Sequence, residues 1–243
     1  ELITGIPGDF SGRIAYIEEI GTGKEKISRL KVMDADGENA KTITEVAGSI
    51  FSPTWSPDGN RIAYSVQRDK SHPVIYIQNV SGGGATPLTP FPGSNLSPSF
   101  SPDGSKILFS SSFEGSADIY EMSASGGQPR RLTNWPSSEV QPSYAPDGKS
   151  FVFVSDRAGF NKPRIYRYEF GSGRTTQVSN SGYATSPQFS SDGSQIAFLS
   201  GRSAAIMNSS GAITANLGAT GIDEAQSFSP NGKRVVFAPK EGG

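Results

Sequence analysis

Five stretches of the chain share one pattern of apolar, polar and turn residues. They read SPTWSPDGNRIAYS (52–65), SPSFSPDGSKILFS (97–110), QPSYAPDGKSFVFV (141–154), SPQFSSDGSQIAFL (186–199) and AQSFSPNGKRVVFA (225–238). In each, an aromatic residue (Trp55, Phe100, Tyr144, Phe189 or Phe228) sits in a short strand that ends in a turn. Proline presets φ for such a turn, Asp or Asn bonds nearby backbone N–H groups, and glycine takes positive φ. A second strand follows at once, over residues 61–65, 106–110, 150–155, 195–200 and 233–238. Its centre is apolar at consecutive positions, as in Ile62-Ala63-Tyr64 and Val152-Phe153. That pattern suits a strand covered on both faces, where in/out alternation disappears.

The turn glycines Gly59, Gly104, Gly148, Gly193 and Gly232 recur at intervals of 39–45 residues. A period of this size marks a propeller or solenoid, and the repeat specifies the inner hairpin of a blade. Outer hairpins follow the same plan. Residues 74–80, 118–123, 164–170 and 204–208 read as third strands. Gly- and Ser-rich turns lead from them to outer strands at 86–89, 130–133, 175–179 and 213–217. Near the start, DFSGRIAY (9–16) looks like a unit lacking its first half, followed by strands at 27–33 and 41–46. No segment keeps helical periodicity. The expected fold is all-β: one propeller domain over residues 1–243, of four-stranded antiparallel blades on a six-bladed plan. Its first and last units are partial, so the ring is either incomplete or closes with five blades.

Bulk composition narrows the function. The 243 residues, 34% hydrophobic with 29 Gly and 17 Pro, suffice for one all-β domain rich in tight turns. Lys and Arg (22) balance Asp and Glu (23), and no basic stripe occurs, which argues against nucleic acid as a partner. Without cysteine there is no disulfide framework, thiol nucleophile or thiolate metal site. No stretch approaches the roughly 18 apolar residues of a membrane span. The opening ELITGIPG lacks the features of a signal peptide.

The repeat, the opening ELITGIPGDFSGRIAY and the segment DEAQSFSPNG together resemble the propeller domain of the TolB family. That family is a periplasmic component of the Tol–Pal cell-envelope system. The resemblance covers nearly the whole chain, while the family's N-terminal α/β domain and closing strands are missing from the sequence. It implies a periplasmic, monomeric, non-catalytic platform without a cofactor. The platform binds the lipoprotein Pal across the mouth of its channel, at a face that bacteriocin translocation segments also exploit. TolA would be a partner only through the N-terminal domain. The family's contacts lie in loops preceding each innermost strand. Here those loops are Phe51-Ser52, Ser94-Asn95-Leu96-Ser97, Glu139-Val140-Gln141, Thr185-Ser186 and Asp223-Glu224. Charge reversal at Glu139 or Glu224 is expected to weaken partner binding without lowering stability.

Other candidate chemistry has a plainer explanation. His72, the sole histidine, precedes Pro73 in a loop where a surface position is expected, and one imidazole cannot build a histidine metal site. Asp58, Asp103, Asp147 and Asp192 recur where turns favour Asp for local bonding, so they are expected to be structural. Asp34-Ala35-Asp36-Gly37-Glu38 resembles the start of a calcium loop, but its glycine is fourth rather than sixth. Gly148-Lys149-Ser150 echoes a phosphate loop, yet Ser143 replaces its first glycine and a strand follows. Asp223-Glu224 could meet a basic group or hold a cation. Two rival classes share the repeat: the propeller of a prolyl-oligopeptidase-type peptidase, and a glycan- or small-molecule-binding or lyase propeller. No G-x-S-x-G nucleophile elbow occurs in the chain.

Overall fold

The computed structural model describes residues 12–159, 161–180, 182–219, 226–229 and 232–236. Two compact units divide the chain, residues 1–133 and 134–243. In the first unit, β1 (Arg13–Ile20), β2 (Ile27–Asp34) and β3 (Lys41–Ala47) form a three-stranded sheet. Next comes a four-stranded blade of β4 (Ser49–Trp55), β5 (Arg61–Gln67), β6 (Val74–Asn79) and β7 (Thr86–Pro87). A second such blade holds β8 (Asn95–Phe100), β9 (Lys106–Ser111), β10 (Asp118–Ser123) and β11 (Arg130–Arg131).

The second unit begins with β12 (Glu139–Tyr144), β13 (Ser150–Ser155), β14 (Arg164–Glu169) and β15 (Thr175–Gln177). Its next blade is β16 (Ala184–Phe189), β17 (Gln195–Ser200), β18 (Ser203–Asn208) and β19 (Ile213–Ala219). A two-stranded sheet of β20 (Ser227–Phe228) and β21 (Val235–Val236) follows. Every pairing is antiparallel and joins neighbours in sequence. The fold is therefore an all-β propeller of four-stranded blades, whose first and last sheets hold three and two strands among the described residues. Among the described residues a short 3-10 turn at Gly23–Glu25 is not marked by the sequence pattern. Residues 9–11 of the first partial unit and 237–238 of the last predicted strand lie outside the described residues.

The consecutive apolar residues of the second strands are explained by what covers them. In β5, Ile62, Tyr64 and Val66 pack with Leu30, Val32 and Val46 of the preceding sheet. The intervening Ala63 packs with Phe100, Ile107 and Phe109 of the following blade. Both faces are thus buried, and Ile62 and Ala63 are fully enclosed. In the second unit, Ile196 and Phe198 of β17 pack on Val152 and Ile165 in the same manner. Such burial is the main favourable term, worth about 1.5–3 kcal/mol for each large side chain.

The turns lock the inner hairpins. Gly59 donates its N–H to the Ser56 carbonyl (2.9 Å), and Ser56 donates to the Arg61 carbonyl (2.9 Å). The Ser56 hydroxyl donates to Asp58 Oδ1 (2.5 Å), and the Asn60 N–H donates to the same oxygen (3.1 Å). Ser101 with Asp103 and Ser190 with Asp192 repeat this geometry at 2.5 and 2.6 Å. Those hydroxyl bonds hold the Asp103 and Asp192 carboxyls down at about 2, and Asp58 is lowered for the same reason. Ala145 replaces the serine in one blade, where Asp147 accepts only the Lys149 N–H (2.9 Å) of these turn bonds. These aspartates are turn residues in three dimensions as in the sequence.

Candidate functional site

The innermost strands of the four four-stranded blades, β4, β8, β12 and β16, carry the same irregularity. Phe51 pairs with Ser65 and Thr54 with Ala63, so Ser52 and Pro53 together stand opposite Tyr64. The pairs Ser97-Pro98, Gln141-Pro142 and Ser186-Pro187 bulge identically, opposite Phe109, Phe153 and Phe198. Proline fits here because a bulged residue has no ladder bond to donate. The residue before it pays in conformation. Ser52, Ser97, Gln141 and Ser186 adopt φ of 49°, 53°, 54° and 52°, a left-handed geometry that non-glycine residues avoid. Sterically strained backbone of this sort concentrates at binding and catalytic sites and costs on the order of 1–3 kcal/mol per residue.

In the second unit, side chains tie these bulges together. Gln141 Oε1 accepts the Ser186 N–H (2.9 Å), and Gln141 Nε2 donates to the Ser186 hydroxyl (3.2 Å). The Ser186 carbonyl accepts Gln226 Nε2 (2.5 Å), and Gln188 Oε1 accepts the Phe228 N–H (3.2 Å). Gln226 was not among the predicted contacts, although the sequence carried a sign of it. It stands where the other repeats have Pro53, Pro98, Pro142 and Pro187.

The predicted contact residues separate into two kinds. Phe51, Ser52, Ser94, Leu96, Ser97, Val140, Gln141 and Thr185 are half-buried, and Ser186 is 8% exposed. Asn95 and Glu139, also expected as contacts, are fully buried. Both occupy one register position, opposite Ser111 and Ser155. Asn95 Nδ2 donates to the carbonyls of Gly93 (3.0 Å), Phe91 (3.2 Å) and Pro73 (3.3 Å), and its Oδ1 accepts the Ser111 hydroxyl (2.8 Å). Glu139 Oε1 accepts from Ser137 (2.6 Å), Ser155 (2.8 Å) and Arg157 Nη2 (3.3 Å). A carboxylate at such a place must be paired, and the strand register supplies the pair. Reversing its charge would therefore damage the fold as well as any interface. Asp223 and Glu224 lie outside the described residues.

The remaining candidates are surface features. His72 is exposed. Asp36 Oδ1 accepts the Glu38 N–H (3.0 Å) in the hairpin turn joining β2 to β3. Among the described residues no three His, Asp or Glu side chains converge as a metal site would require. None of their helices is long and apolar enough to cross a membrane.

Comparison with known proteins places this architecture. The model of the TolB beta propeller domain family matches residues 1–243. The Tol-Pal system protein TolB of Hahella chejuensis is 45% identical over 80 residues, which is 33% of this chain and 18% of that protein. The crystal structure of TolB from Acinetobacter baumannii superposes with a TM-score of 0.86 at 42% identity, over 99% of this chain and 61% of that one. A putative TolB from Agrobacterium tumefaciens, 22% identical with a TM-score of 0.71 over 86% of this chain and 83% of that one, shares the fold. The chain thus spans only part of the relatives it matches. It belongs to the TolB beta propeller domain family.

Proposed function

We propose that this chain is a non-catalytic, periplasmic protein-binding platform whose partner is the lipoprotein Pal. Binding uses the blade ends where the innermost strands begin. The observation that carries this reading is the repeated bulge. Four non-glycine residues at one blade position, Ser52, Ser97, Gln141 and Ser186, all hold left-handed backbone. Strained backbone of this kind clusters at binding sites, which supports a preformed recognition surface. Family membership supports the Tol–Pal setting. On the same reading, residues 1–243 act as one monomeric domain. Bacteriocin segments exploit the same blade ends, and TolA engages only through the N-terminal domain of a full-length protein.

Ser52, Ser97, Gln141, Ser186 and their neighbours Phe51, Ser94, Leu96, Val140 and Thr185 form the proposed contact set. Asp223 and Glu224 are proposed contacts by their place in the repeat. Rigid strands carry these residues, so little ordering entropy opposes association. Calorimetric titration with the soluble domain of Pal tests the reading. One-to-one saturable heat with a micromolar or tighter Kd is expected, and a folded chain that gives no heat refutes it.

A further inference from the structure

Two aromatic side chains of the second unit stand out in solvent at the blade ends where β12 and β16 begin. Trp135 is 47% exposed and Tyr183 is 43% exposed. Each lies in the segment leading into an innermost strand; Trp135 stands where the preceding repeat has Phe91, which packs on its core, and Tyr183 stands where the other repeats have Ser94 and Ser138.

Trp135 is held in place from beneath. The Arg157 guanidinium lies 4.5 Å from its ring centroid and 4.5 Å from that of Tyr166, with Phe153 at 5.5 Å. Arg157 is itself fixed, donating from Nε to the Ser155 hydroxyl (3.0 Å) and from Nη2 to Glu139 (3.3 Å). The buried Glu139 carboxylate therefore acts as a positioning group: it orients the arginine that supports the exposed indole. Beside Tyr183, Arg164 donates to the Gly182 carbonyl, and the Tyr183 carbonyl accepts the Gly201 N–H (3.0 Å). Both rings are thus presented on braced backbone or a braced side chain, the state that loses least entropy on binding.

The charge around them is mainly positive. At this end of the unit the described loops and strand ends carry Arg157, Lys162, Arg164 and Arg202 against Asp156 and Glu139. Glu139 is paired with Arg157, and Asp156 accepts the Ser138 N–H (3.0 Å). Lys162 and Arg202 are exposed. Trp, Tyr and Arg are the residues that dominate binding energy where they cluster. We propose that Trp135 and Tyr183 are the anchors of the partner contact. They receive a protein surface that offers apolar side chains flanked by carboxylates, with Lys162 and Arg202 meeting the acids.

This inference rests on the Pal-binding reading, and one set of titrations separates the two. The soluble domain of Pal is titrated into wild type, Trp135→Ala, Tyr183→Ala, a Lys162→Glu/Arg202→Glu double variant, and an Ile213→Ala control. Ile213 is 47% exposed on the outer strand β19. Each aromatic variant is expected to bind about tenfold or more weakly. The charge variant should also weaken binding and lose its salt dependence, while the control stays within twofold. Unchanged urea midpoints would show that the losses are not unfolding. Should Trp135→Ala fail to fold, Tyr183→Ala reads the same surface independently. Wild-type binding with both aromatic variants within twofold overturns the anchors, and tighter binding by the charge variant overturns the carboxylate partner. Absence of wild-type binding overturns the Pal reading and this inference together.

Discussion

The side-chain amide of Gln141 holds Ser186 at two points, accepting its N–H at 2.9 Å and donating to its hydroxyl at 3.2 Å. The two residues are 45 positions apart and occupy the same bulge in successive blades. A strained backbone is thus fixed by a neighbour's side chain rather than by its own ladder. Replacing Gln141 by Ala should cost about 1–2 kcal/mol, because the Ser186 N–H loses its acceptor. Urea unfolding with an unchanged m-value would register the loss, and a midpoint equal to wild type would count against the linkage.

The left-handed bulge makes its own prediction. Ser52→Val places a β-branched side chain at φ 49° and should destabilise by about 1–2 kcal/mol, whereas Ser52→Gly should be tolerated. Thermal melts of the pair decide this. Equal melting temperatures would mean that the backbone relaxes out of the left-handed region.

Breaking the Glu139–Arg157 pair should be costly. Glu139 is fully buried and Arg157 largely so, and removing the carboxylate leaves a guanidinium without its counter-charge. Glu139→Ala is expected to lose about 3 kcal/mol or more, with Glu139→Gln falling between it and wild type. Chemical denaturation measures both. Loss of Pal binding at full stability would instead return Glu139 to the list of direct contacts.

Acid stability should track the turn carboxyls. Asp103 and Asp192 sit at about 2, chiefly because of the Ser101 and Ser190 hydroxyls. A depressed carboxyl contributes stability that is fully present above its unfolded value of about 3.9. That contribution fades as pH falls from there through about 2. Ser101→Ala should raise the Asp103 midpoint toward the ordinary range and move acid unfolding to higher pH. Carbon-detected NMR titration of the Asp103 carboxyl gives the answer directly.

Contacts between successive turns are also testable. Arg61 reaches across to the next hairpin of its unit, donating to the Gly104 carbonyl (3.0 Å) and lying 5.4 Å from the Phe100 ring. Gly104 has φ 69°, and an added Cβ would sit 3.4 Å from Pro57 Cδ. Arg61→Ala should cost about 1–2 kcal/mol from the lost hydrogen bond and cation–π contact. Gly104→Ala should cost about as much through its positive φ. Differential scanning calorimetry of both variants measures these terms.

The inner hairpins and their turns were legible in the sequence because their determinants are local. Proline, aspartate and glycine act within a few residues, and the doubly apolar second strands announce burial on both faces. The bulge was harder to see. The Ser-Pro and Gln-Pro pairs recur plainly, but the residue before proline ordinarily prefers extended backbone, so only the strand register reveals the left-handed turn. Glu139 reads as a contact in a loop because its partner Arg157 is 18 residues away and reaches it only through the Glu139–Ser155 pairing. Trp135 and Tyr183 are hidden for other reasons: Trp135 stands at the repeat position of Phe91, a core-packed ring, so its exposure is not legible, and Tyr183 has no aromatic counterpart in the other repeats.

Hydrogen exchange read by mass spectrometry, with and without the soluble domain of Pal, tests the central claim most directly. Protection is predicted in peptides covering 49–54, 94–99, 139–143 and 184–188, with the turns at 57–59, 102–104, 146–148 and 191–193 unchanged. Protection confined to those turns, or no protection at saturating Pal, would contradict it.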